Sequence, residues 1–156
     1  MKKNLKPFLI CLAIPLGVGI LSSLLTGGGM GDYARMRNPP LSPPGWVFPI
    51  VWSALYLLMG YASYRIYNSG GNPMEVKKAL RLYGIQLVLN FLWPLVFFGL
   101  KWYWVAFIVL VALWVAIYLT MRAFSDIDEK AGDLLIPYLL WVTFAGYLNV
   151  GVAILN

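Results

Sequence analysis

Three short stretches set aromatic rings and amides on common helix faces inside otherwise apolar sequence. Gln86, Asn90, Trp93 and Phe97 recur at i, i+4, i+7 and i+11, which lines one helix face. Tyr138, Trp141, Ala145 and Leu148 repeat the pattern with Asn149 alongside, and Trp52, Tyr56 and Met59 make a third stripe. An inward cluster of indoles offers flat, polarisable walls and N–H donors. That chemistry suits a large planar apolar ligand better than an ion or a sugar. Amides in hydrocarbon need partners, because an unpaired one is costly. Gln86 and Asn149 are therefore read as interhelical hydrogen-bonding groups. Asn90, one turn from Trp93, serves equally as such a link or as a ligand contact.

Other chemistry has little to build with. The chain has no histidine and one cysteine, Cys11, so an axial-His haem is excluded and thiolate or imidazole metal sites lack ligands. Cys11 itself reads as a small hydrophobe. No acid falls within an apolar stretch, and no serine has an activating partner; Ser53 and Thr143 are expected to bond their own helix backbone. Ion-coupled transport normally needs an ionisable residue in the membrane, and the stretches hold none near their centres. Trp46, Trp102 and Trp104 sit at stretch ends, where indoles anchor at headgroup level. Trp114 has no polar companion in the sequence pattern and is assigned to lipid or dimer packing.

The elements that must position these residues are five apolar runs, 7–25, 46–67, 80–100, 103–121 and 134–155. Each approaches the ~20 residues that cross a bilayer as a helix. The chain has 156 residues, 61% hydrophobic and 12% charged, against roughly 25% charged in soluble domains. Apolarity all round each run favours helices over the alternating strands of a membrane barrel. The fold expected is an all-α integral membrane protein, a five-transmembrane-helix bundle forming one domain over 1–156.

The net charge of +6 follows topology rather than nucleic acid. Nine of the twelve basic residues fall on one side: Lys2, Lys3, Lys6, Arg65, Lys77, Lys78, Arg81, Arg122 and Lys130. Cytoplasmic loops hold the basic excess, so the N-terminus is expected in the cytoplasm and the C-terminus outside. The first 30 residues resemble a cleavable signal, but the long apolar run and the lack of a clear small-x-small site favour a retained helix. Loop 1, 26–45, begins with Gly27, Gly28 and Gly29 and ends in a proline-rich run, which reads as a shaped cap over the bundle. Loop 2 is polar, with Pro73 opening the next helix, and loop 3 is a tight hairpin connection. Loop 4, 124–133, holds Asp126, Asp128, Glu129 and Asp133 without an EF-hand pattern and reads as a solvated loop. The pairs Ala13/Gly17 and Ala112/Ala116 would permit close helix approach in a dimer.

The run Leu41-Ser42-Pro43-Pro44-Gly45-Trp46-Val47-Phe48-Pro49-Ile50-Val51-Trp52-Ser53-Ala54-Leu55-Tyr56 resembles the signature of the tryptophan-rich sensory protein (TspO) family. Its mitochondrial members are called translocator protein or peripheral benzodiazepine receptor. The segments from Gln86 to Trp93 and from Pro137 to Asn149 resemble it too, so the likeness covers the whole chain. The resemblance implies a five-helix bundle, commonly a homodimer, in a bacterial cell membrane, with a ligand pocket opening under loop 1. The ligands it implies are porphyrins such as protoporphyrin IX, sterols, and isoquinoline carboxamide or benzodiazepine compounds, with no cofactor required. Carried onto matching positions, the pocket would use Tyr33, Pro43, Trp46, Trp52, Asn90, Trp93, Trp141 and Ala145. Sensing, transport of porphyrin or lipid, and light-dependent breakdown of protoporphyrin are the activities implied; in the last, Trp52 and Trp141 would act catalytically. Arg35 or Arg37 could pair with a propionate, or be simply solvated. The mitochondrial cholesterol motif lacks its basic residue in this chain, where Leu148 to Asn156 holds no Lys or Arg.

Overall fold

A computed structural model describes residues 2–27 and 30–156. Their secondary structure is helical: α1 (Lys2–Leu25), α2 (Met30–Arg35), α3 (Val47–Tyr67), α4 (Pro73–Pro94), α5 (Tyr103–Ile127), α6 (Glu129–Asp133) and α7 (Ile136–Leu155). Five of these helices are long and apolar enough to cross a membrane. They close a ring in the order α1, α3, α7, α5, α4, with α1 resting on both α3 and α4. The core between them is Leu55, Met59, Leu110, Leu113, Ile117, Tyr138 and Val142, each almost wholly buried. Leucine and isoleucine on the outer faces stay exposed, as at Leu9, Ile108 and Leu140, where acyl chains replace water as the surroundings.

Prolines shape two of the spans. Pro15 has no N–H, so the Cys11 carbonyl in α1 lacks its helical partner. Gly60 of α3 packs against that same carbonyl: a Cβ at Gly60 would lie 2.7 Å from Cys11 O and 3.0 Å from Leu12 Cα. The obstacle is backbone, so a side chain there pushes α1 away. Gly60→Val should lower stability by roughly 1–3 kcal/mol through overpacking, read as a fall in the thermal unfolding midpoint in detergent. Pro94 ends the α-helical part of the third span, and residues Leu95–Leu100 widen into a π-helical turn. Lys101, at φ 58°, closes that turn with a left-handed residue. Asn72 caps α4 by accepting from the Met74 amide at 2.9 Å, and Pro73 takes the first turn as expected.

Several expectations need correcting. Loop 4 is not a loop: α5 continues to Ile127, and α6 occupies Glu129–Asp133. Asp128 is not merely solvated. Its carboxylate caps α6 through the Lys130 amide and holds Arg65 of α3, with Arg65 Nε donating to Oδ2 at 2.8 Å. The first, third and fourth spans reach further than 7–25, 80–100 and 103–121, because helical hydrogen bonding runs past the apolar core into the charged flanks. Loop 1 contains α2, and its Gly28 and Gly29 lie outside the described residues. Of the small-residue pairs, Ala13 and Gly17 face outward, but Ala116 is buried within the bundle, so Ala112/Ala116 is not one exposed stripe.

The Arg65 hydrogen bond holds the Asp128 carboxyl below its usual value. Its stabilising contribution is full above the ordinary carboxylate range near pH ~4 and is lost as pH falls through the depressed folded value. Losing the ion pair and the charged cap in Asp128→Asn should cost about 1 kcal/mol at pH 7. Thermal melts should show that gap closing in strongly acidic buffer.

Candidate ligand site

The bundle encloses a cavity of about 470 Å³ at its loop 1 end. Such a volume falls in the window of about 300–1,000 Å³ typical of small-molecule sites. Ser22 and Ile20 face it from α1, Phe48, Trp52 and Tyr56 from α3, and Asn90 and Trp93 from α4. Phe97 and Phe98 arrive on the π-helical turn, and Trp141, Ala145, Leu148 and Asn149 on α7. Tyr33 and Asn38 close the loop 1 side. No Lys, Arg, Asp or Glu is among the described residues that line it.

The aromatic walls brace one another. Trp52 stacks on Tyr56 with centroids 5.8 Å apart and meets Trp141 edge to face at 6.5 Å and 88°. Trp141 also takes the edge of Phe48, which in turn packs against Tyr33. On the opposite side Trp93 stacks on Phe97 at 4.9 Å. Widening after Pro94 sets Phe98 on this wall beside Phe97, which the regular helical spacing already places there. Pro94→Ala restores an N–H for the Asn90 carbonyl and favours a regular α-helix. It should withdraw Phe98 and lower ligand affinity several-fold, measured by titration against wild type.

Beneath the rings lies a buried polar chain. Tyr56 OH donates to Asn90 Oδ1 at 2.9 Å, and Asn90 Nδ2 donates to Tyr138 OH at 2.7 Å. Tyr138 OH then donates to Gln86 Oε1 at 2.6 Å. Nearby, Trp93 Nε1 donates to Asn149 Oδ1 at 2.9 Å, and Asn149 Nδ2 donates to the Tyr103 carbonyl at 2.8 Å. Gln86 and Asn149 are thus interhelical links, as expected. Asn90 is one as well, yet it stays at the cavity surface. Trp141 Nε1 is buried without a hydrogen-bond partner, although its residue lines the cavity.

Loop 1 is fastened to α7. Pro39 packs so closely on Gly151 that any side chain at that glycine would overlap it. Tyr147 OH donates to the Pro40 carbonyl at 2.5 Å, and Asn156 Nδ2 donates to the Arg37 carbonyl at 2.9 Å. Tyr33 OH donates to the Pro43 carbonyl, tying the loop to itself. The proline-rich segment is therefore a cap held against α7. Gly151→Leu should displace it and raise proteolytic cleavage within loop 1, resolved by limited digestion.

Residues 11–155 match the TspO/MBR family. The chain belongs to the TspO/MBR family. It is 37% identical to tryptophan-rich protein TspO of Chlorobaculum tepidum, a match covering 100% of this chain and 99% of that protein. It is 40% identical to a tryptophan-rich sensory protein of Cereibacter sphaeroides over 80% of this chain and 76% of the other. The translocator protein of Bos taurus is 39% identical over 84% of this chain and 79% of its own length. A TspO/MBR chain with five long apolar helices is an integral membrane protein.

Within this TspO/MBR bundle, six of the eight residues expected at the pocket line the cavity: Tyr33, Trp52, Asn90, Trp93, Trp141 and Ala145. Pro43 lies outside the lining and serves through its carbonyl. Trp46 also lies outside it, 67% exposed at the start of α3. Trp114 corrects an expectation: it has a polar companion, since its Nε1 donates to Thr143 Oγ1 at 2.8 Å across α5 and α7. Thr143 in turn donates to its own helix at Leu139 O, as expected. Ser22, Asn38 and Phe98 were missed as lining residues. Phe98 follows from the π-helical turn, whose sequence signal is Pro94 inside an apolar run.

Proposed function

We propose that this chain is a membrane receptor for flat tetrapyrroles, with protoporphyrin IX the ligand class that best fits the cavity under loop 1. The observation that carries this reading is the convergence of Trp52, Trp93 and Trp141 on one uncharged cavity of about 470 Å³. A macrocycle sandwiched there meets indole faces, while its ring-edge carboxylates must stay at the mouth. Arg35 and Arg37 are both exposed in the loop 1 segment and supply positive charge for them. Isoquinoline carboxamides fit the same walls as smaller apolar plates. Sterols are a poorer match to flat aromatic walls.

Purified protein in detergent should quench saturably on titration with protoporphyrin IX and shift its Soret band. Ala145→Phe fills the cavity from a wall residue that is 6% exposed, and should weaken binding at least tenfold. Equal affinity in that variant and wild type sinks the reading.

A second reading, light- and oxygen-dependent breakdown of the bound porphyrin, draws support from the close edge-to-face pair Trp52 and Trp141. Excited porphyrin and an adjacent indole need only exchange an electron, with no acid–base group. Bleaching at the same rate with Trp141→Phe as with wild type would dismiss it. Transport is the third reading, tested by flux into liposomes. The basic-residue distribution favours a cell-membrane orientation with the N-terminus inside, and the exposed Ala13/Gly17 face of α1 favours a homodimer.

A further inference from the structure

Among the described residues, three buried side-chain polar atoms of cavity-lining residues have no hydrogen-bond partner: Ser22 Oγ, Asn38 Oδ1 and Trp141 Nε1. Trp141 belongs to the ring wall already described. The other two belong to the loop 1 end, Ser22 in the last turns of α1 and Asn38 just beyond α2. Ser22 is 4% exposed. Asn38 spends its Nδ2 on the carbonyls of Tyr33 and Met36, at 3.4 and 3.3 Å. Those bonds hold the side chain with its oxygen as the unspent group.

An amide oxygen only accepts, whereas a serine hydroxyl donates or accepts. Neither has a protein donor to answer it, and a buried acceptor left unpaired is a standing penalty that a partner removes. Among the described lining residues none is ionised, so a charged ligand group would be desolvated there without a counter-ion. The matching group is a neutral donor.

We propose that Asn38 Oδ1 and Ser22 Oγ form a polar subsite at the loop 1 end of the cavity, which takes a hydroxyl or N–H on the edge of a flat, uncharged ligand. The subsite rests on the reading of this cavity as the ligand site. Both atoms are sealed from solvent, so a small shift of loop 1 must accompany contact. Gly27, at φ 66°, follows α1 in a left-handed conformation that other residues rarely adopt. Seating the donor and adjusting the cap are then one event.

The test compares two neutral probes on the full chain: protoporphyrin dimethyl ester, and the diol in which both ester groups are reduced to primary alcohols. The ester can only accept at its edge; the diol can donate. The ratio of diol to ester affinity should be roughly 3–10-fold larger in wild type than in Ser22→Ala or Asn38→Leu. Asn38→Leu also frees the Tyr33 and Met36 carbonyls and can loosen the loop, weakening both probes together. Ser22→Ala removes a single oxygen and leaves that loop intact, so it decides the matter. An unchanged ratio in Ser22→Ala overturns the subsite while leaving the cavity reading standing. Absence of saturable, Trp52-dependent binding by either probe overturns the cavity reading and the subsite with it.

Discussion

Replacing Trp52 and Trp141 together by leucine should weaken protoporphyrin binding by roughly 100-fold, since an aromatic face stacked on a planar ring is worth about 1–3 kcal/mol. Leucine keeps the walls apolar but removes the flat faces and the unpartnered Trp141 N–H. Each single variant should lose roughly tenfold, and the two should not add perfectly, because the rings touch edge to face. Two controls separate cavity chemistry from general tryptophan content. Trp104 is 54% exposed at the start of α5, and Trp104→Leu should bind within about twofold of wild type. Trp46→Leu should do the same, although family resemblance assigns that position to the pocket. A large loss in Trp46→Leu, with little in the double variant, would relocate the site to the outside of loop 1.

Tyr138→Phe should be the most damaging single-atom deletion in the protein, lowering stability by about 2 kcal/mol or more. Its hydroxyl accepts from Asn90 and donates to Gln86, and both amides are almost wholly buried. Phenylalanine fills the same space, so packing is retained while two fixed amide groups lose a partner at once. Leaving two buried amides short of a partner makes this costlier than the ~0.6 kcal/mol average for one interhelical bond in a membrane. The measurement is the thermal or denaturant midpoint in a fixed detergent. A loss no larger than that of Tyr147→Phe, whose bond to Pro40 is exposed, would show that the buried chain contributes little beyond an ordinary contact.

What could be read before the fold was known tracks how strongly each feature is imposed by the membrane. The five spans were legible because hydrocarbon expels charge, so Lys6, Arg65, Arg81 and Arg122 mark their borders. The site faces were legible because Trp52, Trp93 and Trp141 repeat with the period of a helix. Features set by hydrogen bonding were harder to see. The continuation of α5 to Ile127 and the winding of α6 depend on the Asp128 cap and its bond to Arg65, a partner 63 residues away. Trp114 looked solitary because Thr143 reaches it from another helix. The turn after Pro94 needed the proline and the short connection to be considered together. Asn38 and Ser22 carry no periodic signal at all; only their place beside the cavity, with oxygens unanswered, singles them out.

The uncharged lining has one more consequence. With no carboxylate, ammonium or imidazole among its described lining residues, the chamber wall carries no group of its own that titrates near neutral pH. Acid or alkali can then alter occupancy only by altering the guest, so a titration curve of bound fraction reads out the ionisation of whatever molecule is inside.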